Sequence, residues 1–138
     1  MSRVLVVDDA PDTSEPLQRF LAKSGYEVRC VANGREAMEA VLNDLPDVVV
    51  LDLLMPIMDG PTFLEVIRSY LRLQRTPVIV LTALADGPLI KRARAAKVSA
   101  ILLKTKATYE DIKHAIEAAL QPPHQMIAGA YPAGIQPL

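Results

Sequence analysis

The sequence contains little cysteine, few aromatic residues and almost no net charge. Its 138 residues include one cysteine, Cys30, and no tryptophan, so neither an internal disulfide nor a cysteine–histidine zinc motif can form. The formal net charge of −1 argues against direct binding to nucleic acid or to an anionic membrane. No apolar run is long enough for a signal-peptide core or a membrane span. We therefore expect a cytoplasmic protein with no membrane or nucleic-acid partner, in which Cys30 is a small buried hydrophobic residue.

The composition is that of a compact globular domain, with 51% hydrophobic and 22% charged residues. Its length fits one domain. After Leu120 the apolar pattern stops, and the last residues hold four of the eleven prolines. We expect a domain over residues 1–121, followed by a Pro/Gly-rich tail over residues 122–138 and no output domain. The tail is either poorly ordered or a short peptide that docks on a partner.

Short apolar runs alternate with helical patterns along the chain. The runs lie at residues 4–7, 48–51, 78–81 and 100–103, with a weaker alternating run at 26–31. Continuous Val/Ile/Leu runs of this length are typical of strands covered on both faces. The spacing predicts five strand–helix units in an α/β fold. The sheet is expected to be parallel and doubly wound, with strand order 2-1-3-4-5.

The helices are predicted from apolar spacing and from residues that begin or end a helix. Gly25 ends the first helix, Asn33 with Glu36 caps the second, Pro61 begins the third, Asp86 caps the fourth, and Thr108 with Asp111 caps the fifth. The expected apolar stripes include Leu42 on the second helix and Leu71 on the third.

Polar side chains follow four of the five predicted strands where each strand ends. Asp8 and Asp9 follow the first strand, Asp52 the third, Thr82 ends the fourth, and Lys104 follows the fifth. In an open parallel sheet, ligands bind beyond the carboxyl ends of the strands where the strand order reverses, here between strands 1 and 3. Three converging carboxylates repel one another, and Mg²⁺ offsets such charge while sharing its shell with a phosphoryl group. The pattern indicates a phosphoryl site with a nucleophilic carboxylate, a metal, a lysine and a hydroxyl.

The motifs VLVVDD (4–9), VVVLDLLMPIMDG (48–60), VIVLTA (78–83) and AILLK (100–104) resemble the receiver domains of two-component response regulators, a flavodoxin-like fold. The resemblance covers roughly residues 2–120. It implies that Asp52 accepts a phosphoryl group from a sensor histidine kinase or a phosphotransfer protein.

The resemblance also assigns roles around Asp52. Asp9 would bind Mg²⁺ directly and Asp8 through water, and the backbone carbonyl of Leu54 would be a third protein ligand. Phosphoryl oxygens would be bound by Thr82, the backbone of Ala83, and Lys104. Phosphorylation would then change contacts with a downstream protein partner.

Three features depart from the family pattern. Lys104 is followed by Thr105 instead of a proline with a cis peptide bond, so this loop is either trans or strained. The switch position that often carries an aromatic residue is Ile101. In the family the positions of Leu54 and Leu84 flank the path of the hydrolytic water, and we expect a long-lived phosphoryl group because neither leucine offers water a polar partner.

The fourth helix carries four basic residues: Lys91, Arg92, Arg94 and Lys97. They are either a solvated helix face or a surface for an acidic partner. The family uses the face formed by helix 4, strand 5 and helix 5 for partners or homodimers, which makes this face the expected partner surface.

The main hypothesis is a stand-alone receiver, a signalling switch and not an enzyme apart from its own phosphoryl transfer and dephosphorylation. One alternative is a receiver-like scaffold that is never phosphorylated. An aspartyl-nucleophile phosphatase would need a second acid where Leu54 stands. A transcription factor would need a DNA-binding segment after residue 120. A flavin protein would place its phosphate against the acidic strand ends.

Overall fold

Strands and helices alternate five times along residues 1–121, the part of the chain that the computed structural model describes. The strands are β1 (Arg3–Val7), β2 (Glu27–Val31), β3 (Val48–Leu51), β4 (Val78–Thr82) and β5 (Ala100–Leu103). The helices are α1 (Pro11–Lys23), α2 (Gly34–Asn43), α3 (Gly60–Arg68), α4 (Pro88–Ala95) and α5 (Tyr109–Leu120). The expected tail, residues 122–138, lies outside the described residues.

The five strands form one parallel sheet in the order β2-β1-β3-β4-β5, which confirms the predicted fold class. Alternate residues of the central strands face two separate cores. On one face, Val4 and Val6 of β1 and the neighbouring residues of the other strands pack against α1 and α5. On the other face, Leu5 and Val7 of β1 and their neighbours in the sheet pack against α2, α3 and α4. Because both faces are covered, the central strands consist almost entirely of apolar residues. β5 is an edge strand and is only half-buried.

Most helix termini follow the predicted capping. Asn33 accepts a hydrogen bond from the Glu36 N–H at 2.9 Å, and Thr108 and Asp111 form a reciprocal capping box. Gly25, with φ +98°, follows the end of α1. The predicted cap of α4, Asp86, was wrong, because the N-cap residue is Gly87, the helix begins at Pro88, and no side chain caps it.

Two leucines predicted to lie in apolar stripes are exposed instead. Leu42 lies on the outer side of α2, since Ala37, Ala40 and Val41 take the face turned to the sheet. Leu71 is 85% exposed, because α3 ends at Arg68 and the chain then turns. Cys30 is half-buried against the α1 side of the sheet and not fully buried as predicted. Among the helices of residues 1–121, none combines the length and apolar character needed to cross a bilayer.

Arg68 joins the C-terminal ends of α3 and α4. Its Nε donates to the Ala96 carbonyl at 2.9 Å and its Nη1 to the Thr76 carbonyl at 2.8 Å. Longer contacts reach the carbonyls of Leu73 and Lys97. One guanidinium thereby satisfies carbonyls of the α3–β4 connection and of the end of α4.

Candidate functional site

Two buried carboxylates stand side by side at the carboxyl ends of β1 and β3. The strands pair with Val7 opposite Leu51, so the residues that follow them, Asp8 and Asp52, are neighbours. The Asp52 N–H donates to the Val7 carbonyl at 2.9 Å, and the Asp8 N–H donates to the Val31 carbonyl at 3.0 Å. Each residue is 6% exposed. The strand ladder therefore continues through both aspartates and fixes their positions.

Asp9 completes a cluster of three carboxylates. One oxygen from each of Asp8, Asp9 and Asp52 lies within 4.8 Å of the others, and Asp9 is exposed. Oxygens of an octahedral Mg²⁺ shell lie about 2.9 Å apart when adjacent and about 4.2 Å apart when opposite. A set of three carboxylate oxygens with this spacing, open to solvent on one side, fits a hard divalent cation that keeps some of its waters.

Lys104 bridges the two buried carboxylates. Its Nζ lies 2.8 Å from Asp8 Oδ2 and 3.3 Å from Asp52 Oδ2. Its backbone N–H donates to the Thr82 carbonyl at 2.8 Å, which fixes Lys104 to the end of β4. The peptide bond between Lys104 and Thr105 is trans. Lys104 thus reaches both acids although no proline follows it.

Burial and charge act in opposite directions on the site. Burial raises the pKa of Asp52, and the charge of Asp8 adds to the rise, while Lys104 and the Leu54 amide oppose it without cancelling it. For Lys104, burial on its own would lower the pKa, but the hydrogen bond to Asp8 and the charges of both aspartates raise it above its usual value. The resting site is therefore a charged lysine held between carboxylates, one of which is disfavoured as an anion.

Thr82 and Ala83 occupy the end of β4 on the other side of Asp52. Thr82 is fully buried, and its hydroxyl accepts a hydrogen bond from the Leu84 N–H at 3.1 Å. Ala83 is exposed. Because β4 pairs with β3, the Thr82 hydroxyl and the Ala83 backbone lie at the same edge of the sheet as Asp52.

Two glycines, Gly34 and Gly60, pack closely against the connection from Asp52 to α3. This packing was not predicted from the sequence. A Cβ at Gly60 would lie 2.4 Å from the Asp52 carbonyl oxygen and 2.7 Å from the Leu53 Cα. A Cβ at Gly34 would lie 2.6 Å from the Met58 carbonyl oxygen. The Asn33-Gly34 and Asp59-Gly60 pairs, each at the start of a helix, were the available signal.

The two leucines expected near the water path differ in exposure. Leu54 is 63% exposed, so its side chain lies at the surface and not in the core. Leu84 and the switch residue Ile101 are half-buried and pack against the core shared by α2, α3 and α4. The space that an aromatic switch residue would fill is therefore bordered by aliphatic side chains.

The four basic residues predicted for the fourth helix do not form one surface, and Lys97 lies beyond the end of α4 at Ala95. Arg92 turns toward α3, where Nη2 lies 2.7 Å from Glu65 Oε1 and Nε lies 3.0 Å from Glu65 Oε2. Arg94 borders a groove with Val98, Ala100 and Ile101, while Lys97 lies at the opposite end of α4 from the phosphoryl site. The expected partner surface over Lys91, Arg92, Arg94 and Lys97 is thus divided, because Arg92 is engaged within the fold.

The chain was compared with known families, with curated proteins and with solved structures. The family model described as "Response regulator receiver domain" matches residues 4–117. Response regulator MprA of Mycolicibacterium vanbaalenii is 46% identical over 85 residues, which are 59% of this chain and 34% of that protein. A protein-glutamate methylesterase/protein-glutamine glutaminase of Archaeoglobus fulgidus is 42% identical over 105 residues, 75% of this chain and 29% of that protein.

Solved structures show the same fold. The chemotaxis response regulator CheY4 of Vibrio cholerae superposes with a TM-score of 0.79 at 28% identity, covering 87% of this chain and 99% of that one. The matched part of this chain spans about a third or less of the length of the curated relatives above.

Proposed function

Because the chain belongs to the response regulator receiver domain family, we propose that Asp52 accepts a phosphoryl group from a phosphohistidine on a sensor histidine kinase or a phosphotransfer protein. The observation that carries the proposal is the bridge from Lys104 to both Asp8 and Asp52. This bridge holds the buried carboxylates of Asp8 and Asp52 beside one cation where the strand order reverses, which supports a nucleophilic role for Asp52.

The transfer forms one bond and breaks one. A carboxylate oxygen of Asp52 attacks the phosphorus, the phosphorus–nitrogen bond to the donor imidazole breaks, and the imidazole leaves with that electron pair and takes up a proton. Raising the pKa of Asp52 makes its anion a better nucleophile, whereas Lys104 keeps enough of it ionised to react.

We assign Mg²⁺ to Asp8, Asp9, Asp52 and the Leu54 carbonyl. When bound, the metal would neutralise charge that develops on the transferring phosphoryl oxygens. Lys104, the Thr82 hydroxyl and the Ala83 N–H would take the remaining oxygens. The Thr82 hydroxyl accepts a hydrogen bond from the Leu84 N–H and still has its own proton to donate, so we propose that Thr82 shifts toward the phosphoryl group to make that bond. This rearrangement couples the phosphoryl group to the half-buried Ile101 and to the β5 edge.

The output we propose is a change in contacts with a downstream protein or with a second copy through the α4–β5–α5 face, with no direct role for nucleic acid. We propose that the receiver, residues 1–121, acts in the cytoplasm. We further propose a long-lived phosphoryl group, because the exposed side chain of Leu54, two residues after Asp52, offers water no polar partner.

The test is intact-mass spectrometry after incubation with Mg²⁺ and acetyl phosphate. We expect a gain of one phosphoryl group in the wild type, its loss in Asp52→Asn, and its loss when EDTA removes the metal. Lys104→Met should retain Mg²⁺ binding, followed by isothermal titration calorimetry, but lose most phosphoryl uptake. If the wild type binds Mg²⁺ and gains nothing from acetyl phosphate or from a purified phosphohistidine donor, the proposal fails in favour of an unphosphorylated scaffold.

A further inference from the structure

A group of exposed apolar side chains lies where α2 and α3 end. Within residues 1–121, four of the eight large apolar side chains that are exposed occur here: Leu42, Leu45, Tyr70 and Leu71. They line a groove of about 340 Å³ together with Arg72. Isolated exposed leucines are common, but a contiguous apolar groove on a small domain marks a contact surface.

A basic cleft lies on the other side of the same connection. It has a volume of about 400 Å³ and is lined by Arg68, Arg75 and Lys97, with Gln74 and the end of α4. Arg72, Arg75 and Lys97 are exposed. Residues 69–73 line the groove and residues 74 and 75 line the cleft, so the two adjoin along one segment of the chain. We call the combined area the corner surface.

The positive charge of the corner surface has no partner of opposite sign in the part of the chain that the structure describes. No carboxylate lies within 4 Å of Arg68, Arg72, Arg75 or Lys97 there. Arg68 is half-buried and has only carbonyl oxygens as partners.

Three of the acids that the chain places in or beside these elements already have partners. The Arg3 guanidinium pairs with Asp44, the Arg3 backbone N–H donates to Asp47 Oδ2 at 2.7 Å, and the Arg92 guanidinium pairs with Glu65. Carboxylates supplied from outside the domain would complete the charge balance of the cleft.

The corner surface is remote from the phosphoryl site. Residues 69–75 precede β4 and Leu45 precedes β3, whereas Asp52 and Thr82 lie at the other ends of these strands. Strands of four or five residues separate the two regions by roughly 15 Å. A partner on the corner surface would therefore leave Asp52 open to its donor.

We propose that the corner surface docks a protein segment that presents acidic and apolar side chains together. The apolar residues would fill the groove beside Leu71 and Tyr70, and the carboxylates would meet Arg72, Arg75 and Lys97. Tyrosine and arginine are enriched in protein-binding hot spots, and the leucines beside them add apolar area that a partner can bury. A nucleic acid would leave the leucines uncovered.

Two sources within the protein itself fit less well. Residues 122–138 contain no aspartate or glutamate, so they cannot supply the carboxylates. A second copy that presented Asp44 or Glu65 would have to break the pairing of that acid with Arg3 or Arg92. The proposal does not depend on phosphorylation and goes beyond the switch function.

The experiment starts from a displayed library of random peptides of about 16 residues, long enough for one amphipathic segment, selected on the immobilised full chain. Enriched peptides are synthesised with a fluorophore, and their affinity is measured by fluorescence anisotropy, alongside a DNA duplex of about 20 base pairs. Arg72→Glu/Arg75→Glu tests the basic half, and Tyr70→Ser/Leu71→Ser tests the apolar half.

The matched control is Arg29→Glu/Arg35→Glu, which makes the same charge change at exposed positions on β2 and on the first turn of α2. Circular dichroism establishes that all variants fold. Phosphoryl uptake measured on the same variants separates this proposal from the function of Asp52, because they should retain it.

We expect enriched peptides to combine Asp or Glu with Leu, Ile or Phe. Each test variant should weaken binding by about ten-fold, and the control should not. Peptides without acids, or equal affinity for the variants, would overturn the proposal. The proposal would also be overturned if the chain bound the DNA duplex more tightly than the peptides and Arg72→Glu/Arg75→Glu abolished that binding. A dimer in light scattering that Leu71→Ser converts to a monomer would identify a second copy as the occupant instead.

Discussion

Replacing Arg68 by methionine should destabilise the domain more than any change at an exposed basic residue. The methionine keeps the apolar stem but removes every hydrogen bond from the guanidinium. The carbonyls of Ala96 and Thr76 then lose donors at 2.9 and 2.8 Å, and two longer contacts disappear as well. Because these carbonyls belong to different segments, no other single side chain can replace the link.

The expected loss follows from the two short hydrogen bonds. A hydrogen bond from a charged group contributes about 1.5–3 kcal/mol, so two contribute roughly 3–6 kcal/mol before any recovery. Arg68 is half-buried, and water can reach some of the released carbonyls. Removing a charge whose pKa is lowered by burial also returns part of the desolvation cost. We expect a net loss of about 2–3 kcal/mol.

Urea unfolding followed by circular dichroism measures this loss directly. With a slope of about 1.5–2 kcal/mol per molar urea for a domain of this size, the midpoint should fall by roughly 1–2 M. Arg68→Lys should recover only part of the loss, because an ammonium cannot reproduce the planar fork. Arg94→Met, on the exposed face of α4, is the control and should change stability by less than about 0.5 kcal/mol. A midpoint for Arg68→Met equal to that of the control would refute the reasoning.

Three further predictions concern single side chains. Gly60→Ala places a Cβ against the backbone of Asp52 and Leu53 and should lower the melting temperature in calorimetry by roughly 10 °C, because backbone atoms cannot move aside; an unchanged melting temperature would contradict this packing. Thr108→Ala removes one half of the capping box of α5 and should cost about 1 kcal/mol in urea unfolding, whereas Thr108→Ser should cost little. Leu54→Asn should speed the loss of the phosphoryl group about ten-fold in a radiolabel decay assay, since one hydrogen bond to the attacking water is worth about 1.4 kcal/mol; a decay rate equal to that of Leu54→Met would show that Leu54 does not limit hydrolysis.

The sheet could be predicted because its strands have a strong and simple signal. The β3 run at residues 48–51 was located to the residue, and β2 differed by one residue at its start. Central strands buried on both faces must be apolar throughout, so their boundaries are visible wherever a charged residue appears. Because all strands of the predicted sheet are parallel, their carboxyl ends meet at one edge. The sequence alone therefore predicts that Asp8, Asp52 and Lys104 lie together there.

Errors occurred where tertiary packing decides the outcome. The spacing of Leu64, Ile67 and Leu71 continues a helical stripe, yet α3 stops at Arg68. Arg68 donates hydrogen bonds to carbonyls of residues after the end of α3 and at the end of α4. No sequence pattern within α3 indicates these contacts. Arg92 was grouped with the other basic residues of α4 because its partner, Glu65, lies on another helix. Charges considered one helix at a time cannot show which of them is already paired.

The bridge between Asp8 and Lys104 makes the site dependent on synthesis of the chain as far as β5. The two residues are 96 positions apart (104 − 8), and Lys104 directly follows β5, the fifth strand in the part of the chain that the structure describes. A chain growing from the ribosome holds its three carboxylates long before their counter-charge exists, and contacts of such large separation form late in folding. Reactivity at Asp52 would thus arise only in molecules whose final strand has joined the sheet, so that incompletely folded receivers do not compete for the phosphoryl donor.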